Sequence, residues 1–255
     1  MYIDSDPIQA LAYSGPKIEK VLETELPQVF FTADNLPEHI IDKAVRASIL
    51  VTKDGGKANG SAVFATREGK TYLITAGHVL FDMYPGEEYK RIQEGINFHY
   101  QSPDGKIVTS RFNPQSIVYR PKYNGNNNYP YGDLAVLAWE KECCSVPISQ
   151  RSASELSSSL LMSMGFPGSL KEHWENSKKP LITFGKSRSV FNESMKDPRF
   201  ISTMNTTILA DGGNSGGGVF EGDNLVGILS MGALGYGSDI VLLPEIMSIL
   251  SHSTL

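Results

Sequence analysis

From residue 45 onward the chain encodes an all-β domain, a sandwich or barrel of many short strands. An acidic, partly helical extension stands in front of it. Short apolar or alternating segments follow one another, and clusters of turn residues separate them. The composition agrees: 24 Gly and 14 Pro in 255 residues, without a dominance of helix-favouring types, are wrong for a coiled coil or a helical bundle.

Taken in order, the extension covers residues 1–47. Apolar residues recur at helical spacing over 16–26 and 37–47, and Pro27 and Pro37 separate these stretches into one or two short helices. The segment holds eight acids and four bases, whereas residues 48–255 are nearly balanced with 20 and 19. Its expected roles are packing against the main domain, autoinhibition or partner recognition. The expected strands are 45–52, 61–66, 71–75, 96–101, 107–112, 116–120, 134–139, 160–164, 181–184, 189–191, 201–209, 218–221 and 225–230. Some alternate, as in Ile96-Asn-Phe-His-Tyr100, and others are continuous, as in Leu134-Ala-Val-Leu-Ala138. The turns between them include Asp54-Gly-Gly56, Arg67-Glu-Gly69, Pro103-Asp-Gly105 and Gly222-Asp-Asn224. The run at 124–128 reads as a surface loop, and 243–252 is expected to close the domain as a helix.

Charge and composition exclude several function classes. A net charge of −5 excludes a generally basic nucleic-acid binder. No stretch reaches 18 uninterrupted apolar residues, and the first residues lack a basic segment followed by an apolar one, so neither a membrane span nor a signal peptide is expected. The two cysteines, Cys143 and Cys144, are adjacent, a spacing that rarely suits disulfide geometry. They read as reduced thiols, and the expected location is the cytoplasm. They lie in a polar stretch without a local base, which argues against a nucleophilic role. His39, His99, His173 and His252 show no metal-ligand spacing and read as structural or surface residues, so no metal is expected.

Three motifs carry chemistry. Leu73-Ile-Thr-Ala-Gly-His78 runs a strand into a histidine, Tyr131-Gly-Asp133-Leu-Ala-Val-Leu137 sets an aspartate at the start of a strand, and Asp211-Gly-Gly-Asn-Ser215-Gly-Gly-Gly218 places a serine in a glycine-dense loop. A serine hydroxyl is a poor nucleophile at neutral pH and needs a base beside it. Histidine titrates near neutrality and can take that proton. A buried carboxylate fixes the imidazole tautomer and stabilises the imidazolium as it forms. His78 is therefore the candidate base, Asp133 the orienting acid and Ser215 the nucleophile, with Asp82 a rival for the acid. The amides of Gly213 and Ser215 are candidate donors to an oxyanion.

These motifs, in the order His, Asp, Ser, resemble those of the trypsin-like serine peptidases of the chymotrypsin fold. Met164-Gly-Phe-Pro-Gly168 and Leu225-Val-Gly-Ile-Leu-Ser-Met-Gly232 resemble further segments of that family, its bacterial and viral branch in particular. The resemblance spans residues 48 to about 245. It implies two six-stranded antiparallel β-barrels over residues 48–255, with His78 and Asp133 from the first and Ser215 from the second. It also implies peptide-bond hydrolysis of a protein or peptide substrate through an acyl-enzyme, without a cofactor, nucleic acid or membrane. Leu209 would lie on the floor of the substrate pocket, and Ser230, Met231 and Gly232 on one wall, favouring a small or apolar P1 side chain. Asp239 precedes the strand-like Ile240-Val-Leu242, from where it could reach the pocket, which leaves a basic P1 open. Family members activated by insertion of a new N-terminus carry Asp just before the nucleophile. Here Asn214 occupies that position, which implies folding to the active state without cleavage.

Two other functions compete. A catalytically silent binding module could share the same fold. Alternatively, Gly213-Asn-Ser215-Gly-Gly217 fits the G-x-S-x-G pattern of α/β-hydrolase esterases. The esterase reading needs a helix after the serine and the acid and histidine downstream. Residues 218–226 read instead as a β-hairpin, and little chain remains for Asp239 and His252 to serve.

Overall fold

The computed structural model describes residues 30–32, 34, 36, 38–81, 92–120, 133–152, 154–156, 159–191, 203–233 and 237–243. The helix expected over 16–26, the loop at 124–128, Asp82, His252 and nearly all of the helix expected over 243–252 lie outside these residues.

The described chain opens with β1 (Phe31–Thr32) and α1 (Glu38–Ala47). In α1, Ile41, Ala44 and Val45 recur at three- and four-residue spacing and face the core, while Asp42 and Arg46 pair one turn apart at 3.8 Å. The Ser48 hydroxyl donates to the Ala44 carbonyl at 2.8 Å and so satisfies one of the helix's last carbonyls. This corrects the strand expected to start at Val45. The helical stripe claims Val45, and the strand starts only at Ser48.

The first sheet is built from β2 (Ser48–Lys53), β3 (Lys57–Arg67), β4 (Lys70–Thr75), β5 (Ile96–Gln101), β6 (Ile107–Arg111), β7 (Ile117–Tyr119) and β8 (Ala135–Trp139). A helical turn, α2 (Gly77–Leu80), follows β4. The strand order is β6-β5-β2-β3-β4-β8-β7, a curled antiparallel sheet, and β9 (Val146–Pro147) joins β3 in parallel. The second sheet takes β1, then β10 (Leu160–Gly165), β11 (Leu181–Phe191), β12 (Thr203–Thr206), β13 (Gly218–Glu221), β14 (Asn224–Ala233) and β15 (Gly237–Leu242). Its order is β1-β11-β10-β13-β14-β15-β12, and the β11–β12 pairing closes six of the strands into a barrel. A short helix, α3 (Lys171–Trp174), lies between β10 and β11. The mostly β architecture is that of a trypsin-like double barrel. Its antiparallel sheets exclude the parallel sheet that the esterase alternative requires.

Two expected strands, 181–184 and 189–191, are one. Gly185 is not a breaker there: a Cβ on it would lie 2.5 Å from the Ile208 amide nitrogen, so the glycine marks a close approach of two chain segments. β15 contains the strand-like Ile240–Leu242 and begins three residues earlier, whereas no apolar run delimits β9 or β1.

Strand alternation distributes side chains between cores. In β13 and β14, Val219, Val226 and Leu229 fill the closed barrel, while Phe220, Leu225 and Ile228 turn toward the first sheet. In β2, Ile49 and Val51 enter that shared core, and Leu50 points the other way to Phe166, Trp174, Leu181 and Leu209. The two sheets are thus packed through common apolar residues, and the site lies where they meet.

Candidate active site

α2 is only one turn long and is held from outside at both ends, as so short a helix must be. At its N-terminal end the His78 N–H donates to Asp133 Oδ1 at 2.8 Å. Nδ1–H of the same histidine donates to Asp133 Oδ2 at 2.6 Å. At the other end Gln93 donates its side-chain amide to the His78 carbonyl at 3.0 Å and its backbone N–H to the Leu80 carbonyl at 2.8 Å. Asn59 donates to the Val79 carbonyl at 2.7 Å.

Asp133, just before β8, is 3% exposed. Its second oxygen also accepts the Ser230 hydroxyl at 2.7 Å. Burial pushes this carboxyl up, but the hydrogen bond and charge of His78, the Ser230 hydroxyl and the His78 amide outweigh it, and the pKa falls below its ordinary value. Burial pushes His78 down, and the hydrogen bond and charge of Asp133 outweigh that in turn, leaving the imidazole above its ordinary value. With the proton on Nδ1, Nε2 keeps its lone pair.

Ser215 lies in the loop between β12 and β13. Its hydroxyl is directed at the Ser230 carbonyl at 3.5 Å, a long contact. Among the described residues no hydrogen bond joins it to Nε2 of His78. Ser230 therefore connects the three residues: its carbonyl faces Ser215, and its hydroxyl holds the carboxylate that holds His78.

The loop's peptides are individually anchored. Gly168 N–H donates to the Gly212 carbonyl at 2.6 Å, and Gly217 N–H donates to the Asn214 carbonyl at 2.8 Å. In a trans peptide, N–H and C=O point opposite ways. These two bonds therefore aim the N–H groups of Gly213 and Ser215 away from residues 168 and 217. Neither amide meets an acceptor among the described residues. Gly213 and Gly216 have φ of +99° and +84°, and a Cβ on either would lie 2.5 Å from the Phe166 carbonyl oxygen or 2.1 Å from that of Ser61. Glycine is required at both positions.

The remaining expected site residues fall as follows. Leu209 is 5% exposed and packs with Phe166 and Trp174. Met231 and Gly232 lie in β14 opposite Asp239 and Ser238 of β15. Asp239 accepts a hydrogen bond from the Asn205 amide at 2.9 Å. His99 bridges Thr52 and Thr109 at 2.8 and 2.9 Å, a structural role. Burial, with Cys144 adjacent, pushes the Cys143 thiol up to about 12, leaving almost no thiolate near neutral pH. Among the described residues no group of three His, Cys, Asp or Glu is placed to hold a metal, and no helix is long and apolar enough to cross a membrane. Ser61, Asn59 and Gln93, which hold the site from behind, carry no motif that sequence reading could have used.

A closed antiparallel barrel packed against a second, curled antiparallel sheet is the architecture of the trypsin-like peptidases. The chain belongs to the trypsin-like peptidase domain family, which matches residues 60–228. Among solved structures it is similar to the HtrA-type protease AlgW with a tripeptide, at 18% identity and a TM-score of 0.54, covering 84% of this chain and 63% of that one. A serine endoprotease from Yersinia pestis matches at 18% identity and a TM-score of 0.53, covering 86% and 68%. The chain thus spans less than two thirds of the AlgW chain. No curated sequence matches significantly.

Proposed function

We propose that the protein is a serine endopeptidase acting through Ser215, His78 and Asp133. The observation that carries this reading is the buried Asp133 carboxylate. It is clamped by both nitrogen donors of His78 and by Ser230, whose carbonyl faces the Ser215 hydroxyl. A turn about the Ser215 side chain releases that long contact and brings Oγ toward Nε2, a tightening expected when substrate arrives. Oγ then attacks the scissile carbonyl carbon while its proton passes to Nε2. The oxyanion is met by the unbonded amides of Gly213 and Ser215. Collapse breaks the C–N bond, the leaving amine takes the proton from Nε2, and an acyl-enzyme remains. Water, deprotonated by the same nitrogen, hydrolyses it and regenerates the serine.

The finer features belong to the same proposal. With Asn214 before the nucleophile, the chain folds active without insertion of a new N-terminus. Leu209 and the Met231–Gly232 segment favour a small or apolar P1 residue, and the bond from Asn205 to Asp239 supports this over a basic one. The extension regulates access. Two free cysteines suit a reducing compartment, the cytoplasm. A silent binding module is favoured only by the present direction of the Ser215 hydroxyl.

A fluorophosphonate probe on the unprocessed full-length protein decides between the two. Labelling is expected in wild type and lost in Ser215→Ala and His78→Ala, and a peptide library should return apolar P1 residues. Folded wild type that neither labels nor cleaves overturns the enzyme reading.

A further inference from the structure

Base and nucleophile come from different sheets, so something must fix their separation. We infer that the tripeptide Asn59-Gly60-Ser61 of β3 is that spacer, an inference that rests on the reading of His78 and Ser215 above. Each of its residues touches one or both halves of the site, and each does so through a different physical device.

Asn59 is the extra residue of a β-bulge. Along β2, Val51 faces Gly60 and Thr52 faces Ala58, which leaves Asn59 without a partner. Bulges re-aim side chains. This one sends the Asn59 amide to the Val79 carbonyl at 2.7 Å and to the side-chain oxygen of Gln93 at 3.4 Å. Gln93 in turn holds the carbonyls of His78 and Phe81 at 3.0 and 3.3 Å. The carbonyl end of the turn that carries the base is thereby tied to β3.

Ser61 reaches the other way. It is 1% exposed, and its hydroxyl donates to the Gly213 carbonyl at 2.8 Å while accepting the Phe166 N–H at 3.0 Å. Its own N–H donates to the Ser215 carbonyl at 2.8 Å, and its carbonyl accepts the Thr75 hydroxyl at 2.7 Å. One residue of the first sheet thus pins two carbonyls of the nucleophile loop, on either side of Asn214.

Gly60 lets the two halves approach. A Cβ there would lie 2.7 Å from Val79 Cγ2 and 3.1 Å from the Ser215 carbonyl oxygen, so a side chain would wedge the base-bearing turn and the nucleophile loop apart. The three residues act through His78, Ser215 and Gly213 and are positioning residues.

The test uses the full-length protein, a peptide from the library profile, and steady-state kinetics beside thermal unfolding. Ser61→Ala and Asn59→Ala are each expected to lower kcat about 10- to 100-fold, with KM held within about twofold, because positioning is lost while substrate binding is kept. Thr66→Ala serves as control. It removes another hydroxyl contact of β3, to Ser145 at 2.5 Å, and should keep wild-type kcat. Gly60→Ala should also lower kcat, and adding Val79→Ala, which removes the methyl groups in the way, should restore part of it. The spacer is overturned if Ser61→Ala and Asn59→Ala keep wild-type kcat, or if their losses match the rise in KM or the unfolded fraction. If wild type itself neither cleaves nor labels, the underlying enzyme reading fails, and the spacer with it.

Discussion

Asp133 is ionised in spite of its burial because three donors converge on it, and the price appears as coupling: its state sets that of His78. In the folded protein the raised imidazole pKa contributes stability below the ordinary value of 6.5, lost as pH rises through the folded value. The lowered Asp133 pKa contributes stability above the ordinary 3.8, lost as pH falls through its folded value. On the proposed mechanism activity has the opposite sense, since a base at His78 works only when neutral, so kcat/KM should fall as pH drops through the raised His78 value. Asp133→Asn removes the negative charge, which raises the imidazole both directly and through a charge-assisted hydrogen bond, and leaves the burial that lowers it. The acid limb of kcat/KM should therefore move to lower pH while kcat drops about 10⁴-fold. A limb that stays in place refutes the coupling. As candidates, His78, Asp133 and Ser215 are legible in the sequence because acyl transfer would demand those types in those settings. For Ser230 the sequence suggests only a pocket wall. Its bond to Asp133 depends on which face of β14 turns inward, and a one-residue slip would reverse that. Asn59, Gln93 and Ser61 are ordinary polar residues whose partners lie up to 152 positions away, so no local pattern marks them.

β1 and α1 show how an extension becomes part of the architecture. β1 adds to the start of β11, with Phe31 opposite Ile182, and Phe30 is buried beside Leu181 and Trp174. Lys179 reaches back to Asp34 at 2.8 Å. α1 then crosses to the first sheet, where Arg46 donates to the Pro103 carbonyl at 2.7 Å and Ile41 enters the shared core. Deletion of residues 1–44 removes β1 and most of α1 and exposes the surface beneath Ile41. It should destabilise the protein by at least the 2–5 kcal/mol or so typical of emptying one large core position. Deletion of residues 1–29 leaves these contacts intact and should keep the melting temperature within a few degrees. If that shorter deletion raises activity, residues 1–29 are the inhibitory part of the extension; a loss of stability equal to that of the longer deletion contradicts the assignment of the stabilising contacts to residues 30–47. The helix was legible from its apolar stripe. The two-residue β1 was not, because its only signal is the partner strand about 150 residues further on.

The shared core makes the two sheets one thermodynamic unit. Buried residues from β2, β3, β4 and β8 pack in one cluster with Met162, Met164, Ile182, Phe220, Ile228 and Val241 of the second sheet. β9 pairs with β3, and the next residue, Ile148, bridges to Leu225. Neither sheet can lose its packing without stripping apolar surface from the other, which raises the free energy of any half-unfolded state. The two tryptophans lie in different apolar clusters, one against each sheet. Trp139 lies 4.9 Å from Phe64 in the first sheet's aromatic cluster. Trp174 lies 5.5 Å from Phe166 and donates its indole N–H to the Pro167 carbonyl at 2.7 Å, beside the second sheet. With excitation selective for tryptophan, Trp139→Phe reports on the second sheet alone and Trp174→Phe on the first. Within each variant the fluorescence and far-UV circular dichroism midpoints in urea should coincide, as two-state unfolding requires. A fluorescence midpoint that clearly precedes the dichroism in either variant would mean that one sheet opens alone. Base and nucleophile would then separate before the protein unfolds, and activity would be lost at that earlier midpoint.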